Sequence, residues 1–407
     1  MSEQINVSTF ADLMERGILE IGDGHRAKLE DLGGDGPFFL RAGLLSERGF
    51  DWASAERFRA DVFSKVRSKL GRPGDTMVTT KGNSVGRTSY VPLGTPEFVY
   101  SPHLSYWRSV DPSQLSSRFL RYWSKSPEFS AQLYSMAHGT DMAPYLSLAD
   151  QRRLRISLPS IFVQEAVAEV LGSLDGKIAV NEQIAETARQ LARMHFRSVI
   201  QAGDAEKGEL SLVVEFLGRG VAAHYSEDKS QLRLLNQKCI RDNRVSVTPS
   251  RRTVTDKVSN AKMLQMHDVL VNSTGVGTLG RVARWTKREA CTVDSHVTIV
   301  RFDAAKVDPV CAGFAMLDAE PEIEALGEGS TGQTELSRAQ LSALRIAVPS
   351  RDRVGTLRPL LDVLESRGDS ALEESNSLAA LRDTLLPKLM SGEIRVREAE
   401  KVVEEVT

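Results

Sequence analysis

Cysteine is scarce in this chain: Cys239, Cys291 and Cys311 are the only three in 407 residues, and no two lie close together. An odd, scattered set supports neither a disulfide framework nor a zinc site and points to a reducing cytoplasm. Long apolar runs are missing as well. No stretch approaches the roughly 20 residues that a membrane-spanning helix needs. The opening MSEQINVSTFADLMERG carries acids and lacks the apolar core of a secretory signal. There is no Gly-x4-Gly-Lys-Ser/Thr phosphate loop, so an ATP motor is not expected here. An Asn-Pro-Pro-aromatic tetrapeptide, which would suggest an amino-methyltransferase site, is also absent, and the seven histidines include no HxxxH pair.

A large net charge is the last thing missing, at −2 overall. Its distribution is uneven. Residues 57–125 hold 12 Lys/Arg against 4 Asp/Glu, and residues 229–301 hold 14 against 5. The balancing acids sit in residues 1–35 and 302–335, with 8 in each. Two separate basic blocks in a neutral chain suit two faces turned toward a polyanion. A length of 407 residues suits two or three domains, and 41% hydrophobic residues supply their cores.

Self-similarity organises the rest. GDTMVTTKGNSVGR (Gly74–Arg87) resembles HDVLVNSTGVGTLGR (His267–Arg281) with one residue of slippage. SPHLSYWR (Ser101–Arg108) parallels DSHVTIVR (Asp294–Arg301) 193 residues on, matching His103 with His296 and Arg108 with Arg301. LRISLPS (Leu154–Ser160) matches LRIAVPS (Leu344–Ser350) at a spacing of 190, which also brings Gly139-Thr140 onto Gly329-Ser330. Ordered matches at a nearly constant offset mark a tandem duplication. Within each copy, MVTT, FVYSPHLSYW, DVLVNS, GRVARW and CTVDSHVTIVRF read as strands. The segments from Pro112 and Pro309 read as helices.

Both copies close on a long helical pattern. After Ser160, apolar or small residues recur at Val167, Leu171, Leu174, Ile178, Ala185, Ala188 and Ala192, with Asn181 the polar exception. The second stripe is Leu357, Leu361, Leu364, Leu378 and Leu385, with Pro359 in its first turns and Gly368 in its middle. A helix over 163–200 would be roughly 57 Å long and cannot bury such a stripe alone. The other copy is the natural partner, in antiparallel packing.

This arrangement resembles the specificity subunit of type I restriction-modification systems. The telling segments are LLPKLMSGEIRV (Leu385–Val396), VLGSLDGKIAVNEQIAETARQL (Val170–Leu191), LNQKCIR (Leu235–Arg241), DVLVNSTGVGTLGRVA (Asp268–Ala283) and VDSHVTIVR (Val293–Arg301). The first copy departs from the pattern, with TTKGNSVGR in place of NSTGVGTLGR and TDMAPYLSL in place of STGQTELS. The resemblance implies a mixed α/β (α+β) fold with pseudo-twofold character. Target-recognition domains would span 1–159 and 204–349, long spacer helices 160–203 and 350–395, and a tail 396–407. It implies a non-catalytic chain that binds double-stranded DNA and no cofactor. Its partners would be two adenine-methyltransferase subunits holding S-adenosylmethionine and the restriction/translocase subunits using ATP and Mg.

Two motifs mimic other chemistry. Gly275–Gly280 spells GxGxxG, but RVARW after it alternates like a strand, whereas a dinucleotide site needs a helix to open there. Asp175-Gly-Lys177 has a nuclease-like DxK form yet falls on the helical repeat, where it reads as a solvated flank. The competing classes are thus a nucleotide-dependent enzyme and a helical scaffold without sequence preference. His103 and His296, being duplicated, fit a shared structural hydrogen bond better than a DNA contact.

Features shared by the copies should serve fold and phosphate contact; features that differ should read bases. Lys81, Asn83, Ser84 and Arg87, with Asn272, Ser273, Thr274, Thr278 and Arg281, form the expected backbone-contacting loops. Base reading is expected in 41–72 and 224–262. The candidates there are Arg57, Arg59, Lys65, Arg67, Lys69 and Arg72, then Lys238, Arg241, Asn243, Arg244, Arg251 and Arg252. The paired helices would fix the gap between half-sites near one duplex turn, about 34 Å. Inserting one helical turn at Asn181 should therefore lengthen the preferred gap and leave both half-sites unchanged. Footprints with altered half-sites and the old gap would refute this ruler.

Overall fold

The computed structural model describes residues 6–46, 49–137, 144–327 and 335–405. Gly139-Thr140 and Gly329-Ser330, with most of the loop contrast between the copies, lie outside them. The chain divides into two units, Met1–Asn181 with Glu374–Thr407, and Glu182–Glu373. Both are mixed α/β.

The same topology is built in each. In the first unit a four-stranded antiparallel sheet runs Leu19–Asp23, Leu104–Ser109, Thr76–Thr79, Thr88–Tyr90. In the second the order is Val214–Arg219, Val297–Phe302, Val269–Asn272, Val282–Arg284. A parallel pair accompanies each sheet: Phe38–Leu40 with Phe98–Tyr100, and Leu232–Leu235 with Cys291–Val293. Strand Asn6–Thr9 pairs with Arg155–Leu158, and Ala205–Glu209 with Arg345–Pro349, so the LRIS and LRIA motifs are strands.

Period-2 alternation explains how each sheet is covered on both faces. Val269, Val271, Val300 and Phe302 point to a core shared with helix Pro309–Asp318. Leu270, Val297 and Ile299 point the other way, onto Leu235, Cys239, Ile240 and Trp285. The first unit does the same with Val78 and Trp107 on one side and Met77, Leu104 and Tyr106 on the other. Serine caps recur too: Ser147 with Asp150 and Ser337 with Gln340 form capping boxes on equivalent short helices.

The long helices run Ile161–Gln201 and Arg351–Ser391, 41 residues each, and the second passes Pro359 and Gly368 without a break. Inside the first unit they pack antiparallel. Arg382 donates to Asp175 at 2.8 Å, while Ser375 reaches the Ile178 carbonyl at 3.5 Å. Asn181 is buried there, and its amide nitrogen has no partner among the described residues. In the second unit Ala185 and Ala188 lie against Gly368, small residues that let the two backbones approach. Helix Val396–Glu404 adds Ala399 and Val403 to the first unit's core.

A carboxylate at the same helical position, 190 residues apart, joins each long helix to its sheet domain. Asp175 accepts from Arg121 at 2.6 Å and from the Tyr122 hydroxyl at 2.8 Å, besides Arg382. The expectation of a solvated DxK flank is therefore corrected: the carboxylate faces inward because three donors converge on it. Burial pushes its pKa up, but the bonds from Arg382, Arg121 and Tyr122 outweigh that and hold it below the usual range. Glu365 meets Arg284 at 2.5 Å, and burial keeps its pKa above the usual range despite that partner.

One buried ion pair is duplicated in full. Arg108 binds Asp75 through Nε and Nη2, both at 2.7 Å, and Arg301 binds Asp268 at 2.8 and 2.7 Å. Each aspartate also accepts a backbone N–H three residues before it, from Arg72 and from Gln265. Both carboxylates are fully buried. Removing one partner strands the other's charge, at a cost of about 3–5 kcal/mol. Arg301→Met should lower the second unit's unfolding free energy, read from urea titration, by that amount, and the double change with Asp268→Leu should recover most of it. Equal loss in the single and double variants would show that the pair does not act as a unit.

Candidate nucleic-acid interface

Each unit projects a β-hairpin whose loop carries the expected phosphate contacts. The strands are Thr76–Thr79 with Thr88–Tyr90, and Val269–Asn272 with Val282–Arg284. Gly275–Gly280 is this hairpin's turn, and strand Val282–Arg284 follows it, so there is no helix N-terminus for a pyrophosphate. Glycine is needed at the loop exits. A Cβ at Gly86 (φ 82°) would lie 1.9 Å from Leu133 Cδ2, and one at Gly280 (φ 82°) 2.5 Å from Glu324 Cα.

Five backbone bonds recur in both hairpins with matching lengths. Thr79 N–H donates to Arg87 O and Asn272 N–H to Arg281 O, both at 2.9 Å. Gly86 donates to Thr79 O and Gly280 to Asn272 O, both at 2.8 Å. Thr80 donates to His103 O and Ser273 to His296 O, both at 2.9 Å. Leu146 donates to Thr80 O at 3.0 Å and Leu336 to Ser273 O at 2.9 Å. Val85 donates to Gly82 O at 3.1 Å and Thr278 to Gly275 O at 3.2 Å. The duplicated histidines thus share a structural hydrogen bond made by their main-chain carbonyls. Among the described residues only the His296 ring is bonded, at 2.8 Å from Thr274 Oγ1.

The loop side chains divide. Lys81 and Asn83 are exposed, and Lys81 lies 5.0 Å over the Tyr145 ring. Ser84 is half-buried. Arg87 donates to Leu45 O at 3.1 Å and Arg281 to Gly277 O at 2.7 Å, which braces both guanidinium groups beside the loops. Thr274 is held by Gln237 at 2.6 Å, and Thr278 leans on Gly275 O at 3.4 Å. Asn272 and Ser273 need correction as surface contacts, because both side chains are fully buried. Asn272 donates to Gln237 O at 3.1 Å, and Ser273 shares a 2.6 Å bond with Thr298. Sequence reading passed over Gln237, which lies in LNQKCIR, and over Val276, which is 92% exposed at the second loop's tip.

In the segments expected to read bases, structure absorbs about half of the candidates. Arg57 donates to Gly36 O and Asp35 O at 2.8 and 2.6 Å. Arg59 chelates Asp61, and Lys69 pairs with Asp23. Arg252 donates to Gln231 O at 2.9 Å, Arg251 lies 4.4 Å over Tyr225, and Arg244 is half-buried. Asn243 is corrected as a base reader. It adopts φ 58°, accepts from Arg193 at 2.8 Å and donates to Glu320 at 2.7 Å, so its amide is committed to the first long helix and the helical layer. Lys65, Arg67 and Arg72, with Lys238 and Arg241, are exposed cations whose side chains have no partner among the described residues. A cavity of about 450 Å³ opens beside Arg57, lined by Phe38, Phe63 and Glu97 among others.

Nothing in these surfaces favours nucleophilic chemistry by thiol. All three cysteines are buried, and burial pushes Cys239 up to about 11 and Cys291 and Cys311 up to about 12. No described helix is long and apolar enough to cross a membrane.

Among solved structures, the S subunit of the type I restriction-modification system from M. genitalium superposes with a TM-score of 0.59 at 15% identity. It covers 95% of this chain and 96% of its own. The chain has the fold of a type I restriction-modification S subunit. A chain of another type I R-M system aligns over 97% of this chain and 100% of its own at 14% identity, with a TM-score of 0.43. The HsdS subunit from Thermoanaerobacter tengcongensis aligns over 96% and 97% at 13% identity, with a TM-score of 0.36. No family model matches the sequence, and no curated protein matches it.

If the five unpaired cations face phosphate, each should carry a countable share of salt-dependent binding. Lys65→Ala, Arg67→Ala or Lys238→Ala should each reduce the slope of log K against log salt by roughly 0.9 and weaken all duplexes alike. Unchanged slopes in titrations at several salt concentrations would remove these residues from the interface.

Proposed function

We propose that this chain reads DNA sequence as the specificity subunit of a type I restriction-modification complex. Each unit addresses one half of a split, asymmetric site. One observation carries the reading: a single frame is built twice, and each copy bears its own unpaired cations and its own surface segment. Two different half-sites need that combination. A shared frame gives both readers the same stance on a duplex, and the differing surfaces give them different words. The M. genitalium S subunit has the same fold, which supports the assignment.

On this reading the chain performs no chemistry itself. Two adenine-methyltransferase subunits would hold S-adenosylmethionine, and restriction/translocase subunits would use ATP and Mg, with the complex working in the cytoplasm. A nucleotide-dependent enzyme is disfavoured by the hairpin at GVGTLG. A scaffold without base contacts would leave the differing tips and segments without purpose. Methylome sequencing of cells expressing this chain with its neighbouring methyltransferase tests the proposal directly. The expected result is adenine methylation in one split motif, and methylation with no motif, or none, would refute it.

A further inference from the structure

The two hairpin loops hang from the same five backbone hydrogen bonds, yet their tips differ. Asn83 and Val276 occupy one position, 193 residues apart, the offset that also separates Asp75 from Asp268 and His103 from His296. Each follows a glycine in the left-handed region, Gly82 at φ 83° and Gly275 at φ 100°. Each side chain stands in solvent. Val276 is 92% exposed, and the Asn83 amide has no partner among the described residues. The surrounding groups are held still. Arg87 and Arg281 are braced on main-chain carbonyls, and Gln237 clamps Thr274 from the neighbouring segment at 2.6 Å. Lys81 in one copy, and Arg281 on Gly277 O in the other, supply charge next to the tip.

A bare isopropyl group on a polar, hydrogen-bonded loop tip has no folding purpose, since it buries nothing. Phosphate contact does not explain it either, because valine has nothing to offer an anion. The apolar feature of a base edge in the major groove is the thymine methyl, and the feature suited to a carboxamide is the N6/N7 edge of adenine. We infer that the hairpin tips are base readers, with Asn83 hydrogen-bonding adenine in one half-site and Val276 packing on a thymine methyl in the other. This rests on the DNA-reading function proposed above and moves one part of base recognition from the unaligned segments to the shared hairpin.

The test uses the chain in complex with its methyltransferase, comparing wild type with Asn83→Val and Val276→Asn. Both positions are exposed, so unchanged urea midpoints should confirm intact folding. In methylome and competition-binding measurements, each variant should relax preference at one base pair of one half-site, by roughly 5- to 150-fold. The other half-site should keep its preference. At the base pair relaxed by Val276→Asn, replacing thymine with uracil should weaken wild-type binding and leave the variant indifferent. Wild-type preference at every base pair in both variants would overturn the inference, as would weakening that is uniform across sequences. A wild-type complex with no split motif would instead overturn the DNA-reading function itself, and the tip assignment with it.

Discussion

In each unit a buried guanidinium joins the sheet to the segment that packs beside it. Arg108 and Arg301 each sit on the central strand of a four-stranded sheet and chelate an aspartate at the entry of the neighbouring strand. In each, the Nη2 that binds the aspartate also reaches a main-chain carbonyl. Arg108 Nη2 donates to Leu70 O at 3.3 Å, and Arg301 Nη2 donates to Met263 O at 2.8 Å. Those carbonyls lie at or just beyond the ends of the segments that differ most between the copies. The pair therefore ties a variable surface segment to an invariant sheet, and it fixes where the segment re-enters. A buried ion pair is weak evidence for stability on its own. What it supplies here is specificity of arrangement, because bidentate geometry accepts one orientation of strand against segment.

The duplication was legible because these constraints leave short, exact traces: an Arg, a His and a Leu-Arg-Ile at near-constant offsets. The core around them was not. Trp107 bonds Gln151 in the first unit at 2.9 Å, and the equivalent positions in the second are Val300 and Leu341, all four buried. A hydrogen-bonded aromatic pair in one copy stands where the other has an aliphatic pair, so burial is shared while identity is not. Asn6–Thr9 pairs with Arg155–Leu158 across most of a domain, and no local pattern announces such a partner. The aspartates opposite Arg108 and Arg301 were visible in GDTM and HDVL, but only geometry shows that they face the arginines.

Candidate surface residues were harder to judge, for a physical reason. Arginine and asparagine satisfy protein carbonyls as readily as base edges, and composition does not say which they meet. Asn243 was expected to face DNA because it lies in a basic, unaligned stretch; its left-handed backbone turns the amide toward the helices. Asn272 ends its strand and Ser273 follows it; both are buried because the sheet is covered on both faces, with Asn272 bonded to Gln237 O and Ser273 to Thr298. Val276 attracted no attention because a valine among glycines reads as a spacer until its exposure is measured.

The first unit is assembled from both ends of the chain, and this sets an order of events during synthesis. Glu182–Glu373 is contiguous, so the second unit has all of its parts once Glu373 has left the ribosome. The first, although translated earlier, lacks Leu378, Leu385, Leu389, Ala399 and Val403 until the final stretch emerges. The earlier-made half waits, with part of its apolar face open, for the later one to finish. A stop codon shortly after Glu373 would thus injure the N-terminal unit and spare the other.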